Sequence, residues 1–286
     1  MKKITDYSII KHLIHEIRIE KVYPFSVLEG IQEGEIYVDN EESPSAALIW
    51  HYCGFANILG GYDEGFIGKT VEMMLNPTEG HSGRMALQSE NDPRLESMIM
   101  SNPAVVKYER YVFEFAGEKY FIPYEMEAKL TEITADNYEL MKGKIIPTFS
   151  WPNKEEFLKN GFGYCLIEEG KMLACAFASG VSKEYVDIGV ETAESCRGKG
   201  YGKIVSAAMV KETVRRGKTP VWDCDTRNEA SMRLASSIGF EITGTHPWYT
   251  HELRPLASFS RSIRISRSFC PDRSIPRESR LRALNH

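Results

Sequence analysis

Three glycines at alternate positions punctuate the run Arg197-Gly198-Lys199-Gly200-Tyr201-Gly202-Lys203, which stands between a stretch with strand character and one with helical spacing. Glycine removes the Cβ where main chain must approach a ligand closely, and the start of a helix offers N–H groups without intrahelical partners at its positive end. The combination suits a phosphate. A helix dipole contributes ~0.3–1 kcal/mol and each charge-assisted hydrogen bond ~1.5–3 kcal/mol, so four or five amides would dominate the anchoring. Two nucleotide patterns do not fit. The P-loop needs Ser or Thr after its Lys, and Ile204 follows Lys203; the dinucleotide fingerprint needs its third Gly three residues after the second, and here it comes after two.

The elements that must position this loop are legible around it. Gly163 to Ile167 and Leu173 to Ala178 bracket the turn Glu168-Glu169-Gly170-Lys171 and predict a hairpin, and Tyr185 to Thr192 predicts a third strand. Ile204, Val205, Ala208 and Val214 give helical spacing over Lys203 to Arg216, stopped by Gly217. Val221 to Cys224 reads as a strand, Asn228 to Ile238 as a helix closed by Gly239, and Phe240 to Thr243 as a strand. Earlier in the chain, Glu35 to Val38, Ala46 to Trp50, Phe55 to Leu59 and Val105 to Phe115 read as strands, with helices over Gly65 to Leu75 and Arg94 to Met100. The charged stretch Glu125 to Glu132 marks a boundary. Three segments follow: residues 1–125, a mixed α/β domain; 126–253, carrying the glycine loop; and 254–286. No internal repeat is evident from sequence identity.

The pattern R-x-x-G-x-G, here Arg197, Gly200 and Gly202, resembles that of the GNAT superfamily of acetyl-CoA-dependent N-acetyltransferases. The strand Asp187-Ile188-Gly189-Val190-Glu191-Thr192 before it and the stretch from Asn228-Glu229-Ala230-Ser231 to Ile238-Gly239-Phe240 after it are similar to the family's flanking motifs, across roughly residues 127 to 253. Trp222-Asp223 and Phe149-Ser150-Trp151 are similar to the branch that includes the zwittermicin resistance acetyltransferases. The resemblance implies an α/β (α+β) fold: a mixed, mostly antiparallel sheet with a splayed parallel pair, preceded by a smaller mixed α/β domain. It also implies acetyl-CoA as co-substrate. The pyrophosphate would lie on the amides of Gly198, Lys199, Gly200, Tyr201, Gly202 and Lys203, with Arg197 also at the cofactor, the pantetheine arm would pair with the backbone of Val190 and Thr192, and Asn228 and Ser231 would meet the far side.

Transfer to an amine requires its lone pair. An aliphatic ammonium of pKa ~10.4 costs roughly 4.6 kcal/mol to deprotonate at pH 7. A positioned base is worth ~10² to 10⁴ in rate, and holding amine and thioester together up to ~7–11 kcal/mol. On the strand before the loop, Glu191 is the first candidate base and Asp187, where several family branches carry Glu, the second. The tyrosine that many members place seven residues after the Asn to reprotonate the thiolate is Ala235 in this chain, which leaves Tyr249 as the nearby substitute. Asp223 and Asp225 either line an acceptor pocket or flank a strand end. Trp222 reads as core, and His12, His15, His51, His81, His246 and His251 are scattered without ligand spacing.

Composition bounds the rest. The chain has 286 residues, 42% hydrophobic and 26% charged, with net charge −5, which fits a folded protein and argues against a nucleic-acid binder. Residues 254–286 hold eight Arg, no Lys and two acids, Asp272 and Glu278, a surplus of +6 that leaves −11 on residues 1–253; this Arg/Ser-rich end reads as a disordered appendage. Cys53, Cys165, Cys175, Cys196, Cys224 and Cys270 form no C-x-x-C pair and read as buried thiols, with no metal expected. The start, Met1-Lys2-Lys3, is followed by Asp6, Lys11, His12 and Glu16 rather than an apolar block, so the expectation is a cytoplasmic enzyme without membrane attachment. The expected acceptor is a small-molecule primary amine. The alternatives are a non-catalytic acyl-CoA-binding module, suggested by Ala235, and a protein or peptide N-acetyltransferase. Residues 1–125 would shape the acceptor pocket or be a degenerate second copy of the fold.

Overall fold

The structure, a computed structural model, describes residues 1–18, 21–76, 83–127 and 129–251, so His81, Cys270 and the segment 254–286 singled out above lie outside the described residues. The chain runs β1 (Lys2–Ile4), α1 (Val22–Leu28), β2 (Gly34–Val38), β3 (Ala46–His51), β4 (Phe55–Gly60), α2 (Glu64–Leu75), β5 (Ala86–Gln88), α3 (Pro93–Met100) and β6 (Val105–Phe115). It continues through α4 (Tyr124–Glu127), β7 (Leu130–Glu132), α5 (Lys154–Asn160), β8 (Gly163–Glu168), β9 (Lys171–Val181), β10 (Tyr185–Thr192), α6 (Tyr201–Arg215), β11 (Thr219–Val221), β12 (Asp223–Asp225), α7 (Glu229–Ile238) and β13 (Phe240–His251). The described strands form an eight-stranded sheet of order β1-β2-β3-β4-β5-β13-β6-β12 and a five-stranded sheet of order β11-β10-β9-β8-β7. Two neighbouring pairs are parallel, β4 with β5 and β10 with β11.

Both halves follow one plan. Antiparallel strands end in β4 or β10, a helix (α2 or α6) crosses to a parallel neighbour (β5 or β11), and a second helix (α3 or α7) leads to a long final strand (β6 or β13). The final strands are exchanged between halves: β13 pairs with β5, β6 pairs with β12, and β6 and β13 pair with each other from Phe240 opposite Phe115 to His251 opposite Val105. A repeat that identity does not reveal is thus plain in topology. The passage between sheets falls at α4, where the sequence marks a boundary, yet β12 and β13 return to the first sheet and residues 1–252 form one compact unit.

Two strands differ from the sequence expectation. The run Val221–Cys224 is two strands in different sheets, because the chain turns at buried Trp222, whose ring packs on Phe240 and whose Nε1 donates to Ser231 Oγ at 3.0 Å. The strand beginning at Phe240 continues to His251 past a register shift at Ile242/Gly244, which hides its second half from a simple alternation.

Strand β9 is the spine of the second sheet, buried from Ala174 to Val181, with α6 packed on it as well as α1 and the turn Pro147–Phe149. Trp151 pins that turn by donating from Nε1 to Ala178 O at 2.8 Å. From the first half, Gln32 donates to Ser179 O at 3.0 Å and accepts from Val181 N at 2.8 Å, so its amide completes the β9 backbone where the ladder is interrupted.

Candidate active site

Helix α6 opens without a side-chain cap. The other described helices of eight residues or more are capped by Asp63 (α2), Asp92 (α3) and Asn228 (α7), each accepting a first-turn amide. At α6 that position is Gly200, with φ +83°, preceded by Gly198 with φ +78°. A Cβ at either would meet nothing within 4 Å, so no neighbour crowds these two positions and the left-handed backbone is what calls for glycine. Gly202 has a different reason: a Cβ there would stand 2.8 Å from Thr192 Oγ1, so its bareness lets α6 lie close on β10. The residues present therefore fit a diphosphate. Arg197 reaches back to Glu191 at 3.8 Å, and Lys203 Nζ lies 4.1 Å from the ring centre of Tyr120.

Beside this loop the parallel pair parts. β10 and β11 pair from Tyr185–Thr219 to Asp187–Val221; beyond Asp187, β10 keeps, among the described residues, its β9 partner alone, while the chain after β11 turns at Trp222 into the first sheet. The β9–β10 register shifts at the same point, Asp187 facing Gly180 and Ile188 facing Ala178, which leaves Ser179 as an extra residue. Side chains gather on this irregularity. Tyr23 donates its hydroxyl to Asp187 Oδ2 at 2.6 Å and lies 3.0 Å from Ser179 Oγ, itself 3.4 Å from Ser150 Oγ. Burial and the adjacent Asp187 charge raise the Tyr23 phenol well above its ordinary value, so it stays a proton donor to the carboxylate.

Glu191 is placed otherwise. Its Oε2 accepts from Lys144 N at 2.9 Å and Ile145 N at 3.0 Å, and Gly143, at φ +142°, leaves no room for a Cβ, which would fall 2.5 Å from Glu191 Cγ. This carboxylate clasps the 143–145 loop against β10. Of the two candidate bases, Asp187 stands at the parting of the strands and Glu191 four residues beyond it. Tyr249 does not join the group. It is fully buried in a core with Leu48, Trp50, Leu87 and Leu95, and its hydroxyl donates to Glu96 Oε2 at 3.2 Å. Ala235 is also fully buried, packed in the core of the second half.

The remaining expectations fall into place locally. Asn228 caps α7 by accepting from Ser231 N at 3.1 Å, and Ser231 Oγ takes the Trp222 indole, so both support the turn that separates the strands. Asp223 holds Arg110, and Asp225 holds Arg227 through Nε at 2.8 Å. The five described cysteines are buried free thiols, and burial pushes Cys53 up to about 12. Among the described residues no group of three or more His, Cys, Asp and Glu could hold a metal ion, and no helix is long and apolar enough to cross a membrane.

Sequence reasoning missed Tyr23 at Asp187 and the aromatic and cationic groups packed behind it. Tyr23 and Phe55 meet edge to face at 4.8 Å, Phe55 meets Trp248 at 4.7 Å, and the guanidiniums of Arg84 and Arg110 lie 5.3 and 5.5 Å from the Phe55 ring centre. These residues share no motif. Phe55, Arg110 and Trp248 come from β4, β6 and β13, Arg84 from the approach to β5 and Tyr23 from α1, so only the fold brings them together.

A glycine-opened helix on a splayed strand pair, in a mixed sheet, defines an acyltransferase scaffold. The chain belongs to the GNAT acetyltransferase family, whose model matches residues 11–249 and so spans both halves. It is 24% identical over 254 residues to the uncharacterized N-acetyltransferase YdfB of Bacillus subtilis, covering 85% of this chain and 95% of that one. Its fold is similar to that of a GCN5-related N-acetyltransferase-like protein from Streptococcus suis, with TM-score 0.68, 20% identity, and 86% and 98% of the two chains covered. A GNAT-family acetyltransferase from Novosphingobium aromaticivorans matches with TM-score 0.53 and 13% identity over 81% of this chain and 98% of its own.

Proposed function

We propose that this acyltransferase moves an acetyl group from acetyl-CoA to the primary amine of a small molecule by direct attack in a ternary complex. The observation that carries this is the start of α6: amides with no side-chain cap, after left-handed Gly198 and Gly200 that no neighbour crowds, beside the parting of β10 and β11. The diphosphate lies on the amides of Gly198 to Lys203, and the freed edge of β10 at Val190 and Thr192 receives the pantetheine arm. The thioester would then face Asp187, which takes the ammonium proton; the amine nitrogen bonds the acetyl carbon as the C–S bond breaks, CoA leaves as a thiolate that takes up one proton, and Tyr23 orients the Asp187 carboxylate through its hydroxyl. Glu191 keeps the 143–145 loop in place.

The first half is a degenerate second copy of the fold. Its equivalent helix, α2, is capped by Asp63, whose Oδ1 accepts from Phe66 N at 2.7 Å, so a carboxylate already stands where a diphosphate would lie. Its parallel strands are also closed, by an Asn57–Gln88 side-chain hydrogen bond of 2.6 Å. The buried free thiols suit a reducing cytoplasm.

Calorimetry with acetyl-CoA tests the assignment. Gly200→Glu puts a carboxylate and a left-handed side chain before the amides and is expected to abolish binding; near-normal affinity would refute the site. Thiol release with small amines, against peptides, then identifies the acceptor class. The buried Ala235 favours one rival reading, a binding module without turnover, which acetyl-CoA binding without release by any amine would support.

A further inference from the structure

The two arginines beside Phe55 each lie near a second aromatic ring as well and differ in their hydrogen-bond partners. Arg110 lies 5.5 Å from the Phe55 ring centre and 5.3 Å from that of Trp248, and its guanidinium is gripped at two nitrogens by Asp223, Nε to Oδ2 at 2.6 Å and Nη2 to Oδ1. Arg84 lies 5.3 Å from the Phe55 ring centre and 4.8 Å from that of Phe149, and its Nε donates to Cys53 O at 2.8 Å. Its Nη2 is buried and, among the described residues, has no hydrogen-bond partner. The seat is shaped for it. Gly54, at φ +98°, lies so close that a Cβ would fall 2.5 Å from Arg84 Cγ and 2.6 Å from Arg84 O.

A guanidinium seated against two aromatic rings with one donor fixed is pre-organised for a planar anion, and a buried donor without an acceptor is disfavoured until one arrives. The seat adjoins the proposed site of chemistry. Phe55 bears edge-on against Tyr23, whose hydroxyl is on Asp187, and Cys53, whose carbonyl takes the Arg84 Nε, is buried in the same apolar cluster as Tyr23 and Phe55. We propose that Arg84 receives a carboxylate of the acceptor, so that the substrate is an amino acid or another amine bearing a carboxylic acid, its ammonium at Asp187 and its carboxylate at Arg84. Asp223 on Arg110 shows within the same cluster how a carboxylate meets such a guanidinium. This inference rests on the acetyltransferase reading and narrows its substrate.

The test is calorimetric titration of the CoA-loaded protein, and thiol release with acetyl-CoA, using matched pairs that differ only at the acid. Suitable pairs are alanine, β-alanine, γ-aminobutyrate, phenylalanine and alanyl-alanine, each against its C-terminal amide, with phosphoethanolamine as the other anion. At least one acid is expected to be favoured over its amide by about ten- to a hundred-fold in Kd and in kcat/KM, the worth of one charge-assisted pair. Arg84→Gln is expected to collapse that preference towards one, and Arg84→Lys to recover part of it, which separates recognition from loss of the Cys53 contact. Equal binding of acids and amides, or no binding of any acid, overturns the inference, as does tighter binding of phosphoethanolamine than of every carboxylate. Acetylation of the amides without preference would overturn it while leaving the acetyltransferase reading intact. Failure to bind acetyl-CoA would instead strike at that reading.

Discussion

At Asp187 and Glu191, two carboxylates on one strand have been given different work by their neighbours. Asp187 accepts a hydrogen bond from the Tyr23 hydroxyl at the point where β10 loses its parallel partner, whereas Glu191 is engaged by two backbone amides of a loop. Asp187→Asn should therefore lower kcat by about 10² to 10⁴ with acetyl-CoA affinity retained, since it removes a proton acceptor and not the cradle. Glu191→Gln should chiefly lower the unfolding midpoint, by the loss of charge-assisted hydrogen bonds worth about 1.5–3 kcal/mol each. Steady-state kinetics and urea titration of both variants decide the matter, and a kcat loss larger for Glu191→Gln than for Asp187→Asn would restore the opposite assignment. The sequence shows both acids and their spacing. It does not show the bulge at Ser179 or the arrival of Tyr23 from 164 residues away, which are what distinguish them.

Helix α6 carries the loop at its start and an acid–base lock at its end. Glu212, buried in the last turn, accepts from Arg215 Nε at 2.6 Å and Arg216 Nε at 2.8 Å, and the Arg215 hydrogen bond above all draws its carboxyl down to about 2. A carboxyl held below its unfolded value of 4.5 adds stability above that pH and loses it as pH falls towards 2. The urea midpoint of Glu212→Gln should then lie below that of the parent at neutral pH, and the gap should narrow steadily below about pH 4.5; a gap constant down to pH 3.5 would contradict the lock. This helix was legible because periodicity and glycine stops announce it. Helix α1 was not, because Pro24 reads as a breaker although it is the third residue of Val22–Leu28, where a proline lacks only an N–H that would have no intrahelical partner. Strand β12 was hidden for another reason: the stretch Val221 to Cys224 holds no Gly, Pro or Asn to show that the chain changes sheets at Trp222.

Exchange of the final strands makes the whole molecule one cooperative object despite its two-part plan. Residues 126–252 alone would hold β12 without β6, β13 without β5 or β6, and β9 with Val181 N deprived of the Gln32 acceptor, leaving open sheet edges and an unsatisfied buried amide. Residues 1–125 alone would lose the other halves of the same ladders. Neither fragment should unfold cooperatively or bind acetyl-CoA by itself, even though every amide of the proposed cradle lies in the second. Produced together, the two should reassemble, because the β6–β13 ladder joins them along its full length, and calorimetry on the mixture should recover acetyl-CoA binding. A second fragment that folds and binds acetyl-CoA alone would show that the exchange is dispensable and that the boundary near residue 125 divides self-sufficient units. If only the mixture binds, the first copy has been retained because the second lacks the strands to close its own sheet, and from that position its Tyr23 and Phe55 came to stand beside Asp187.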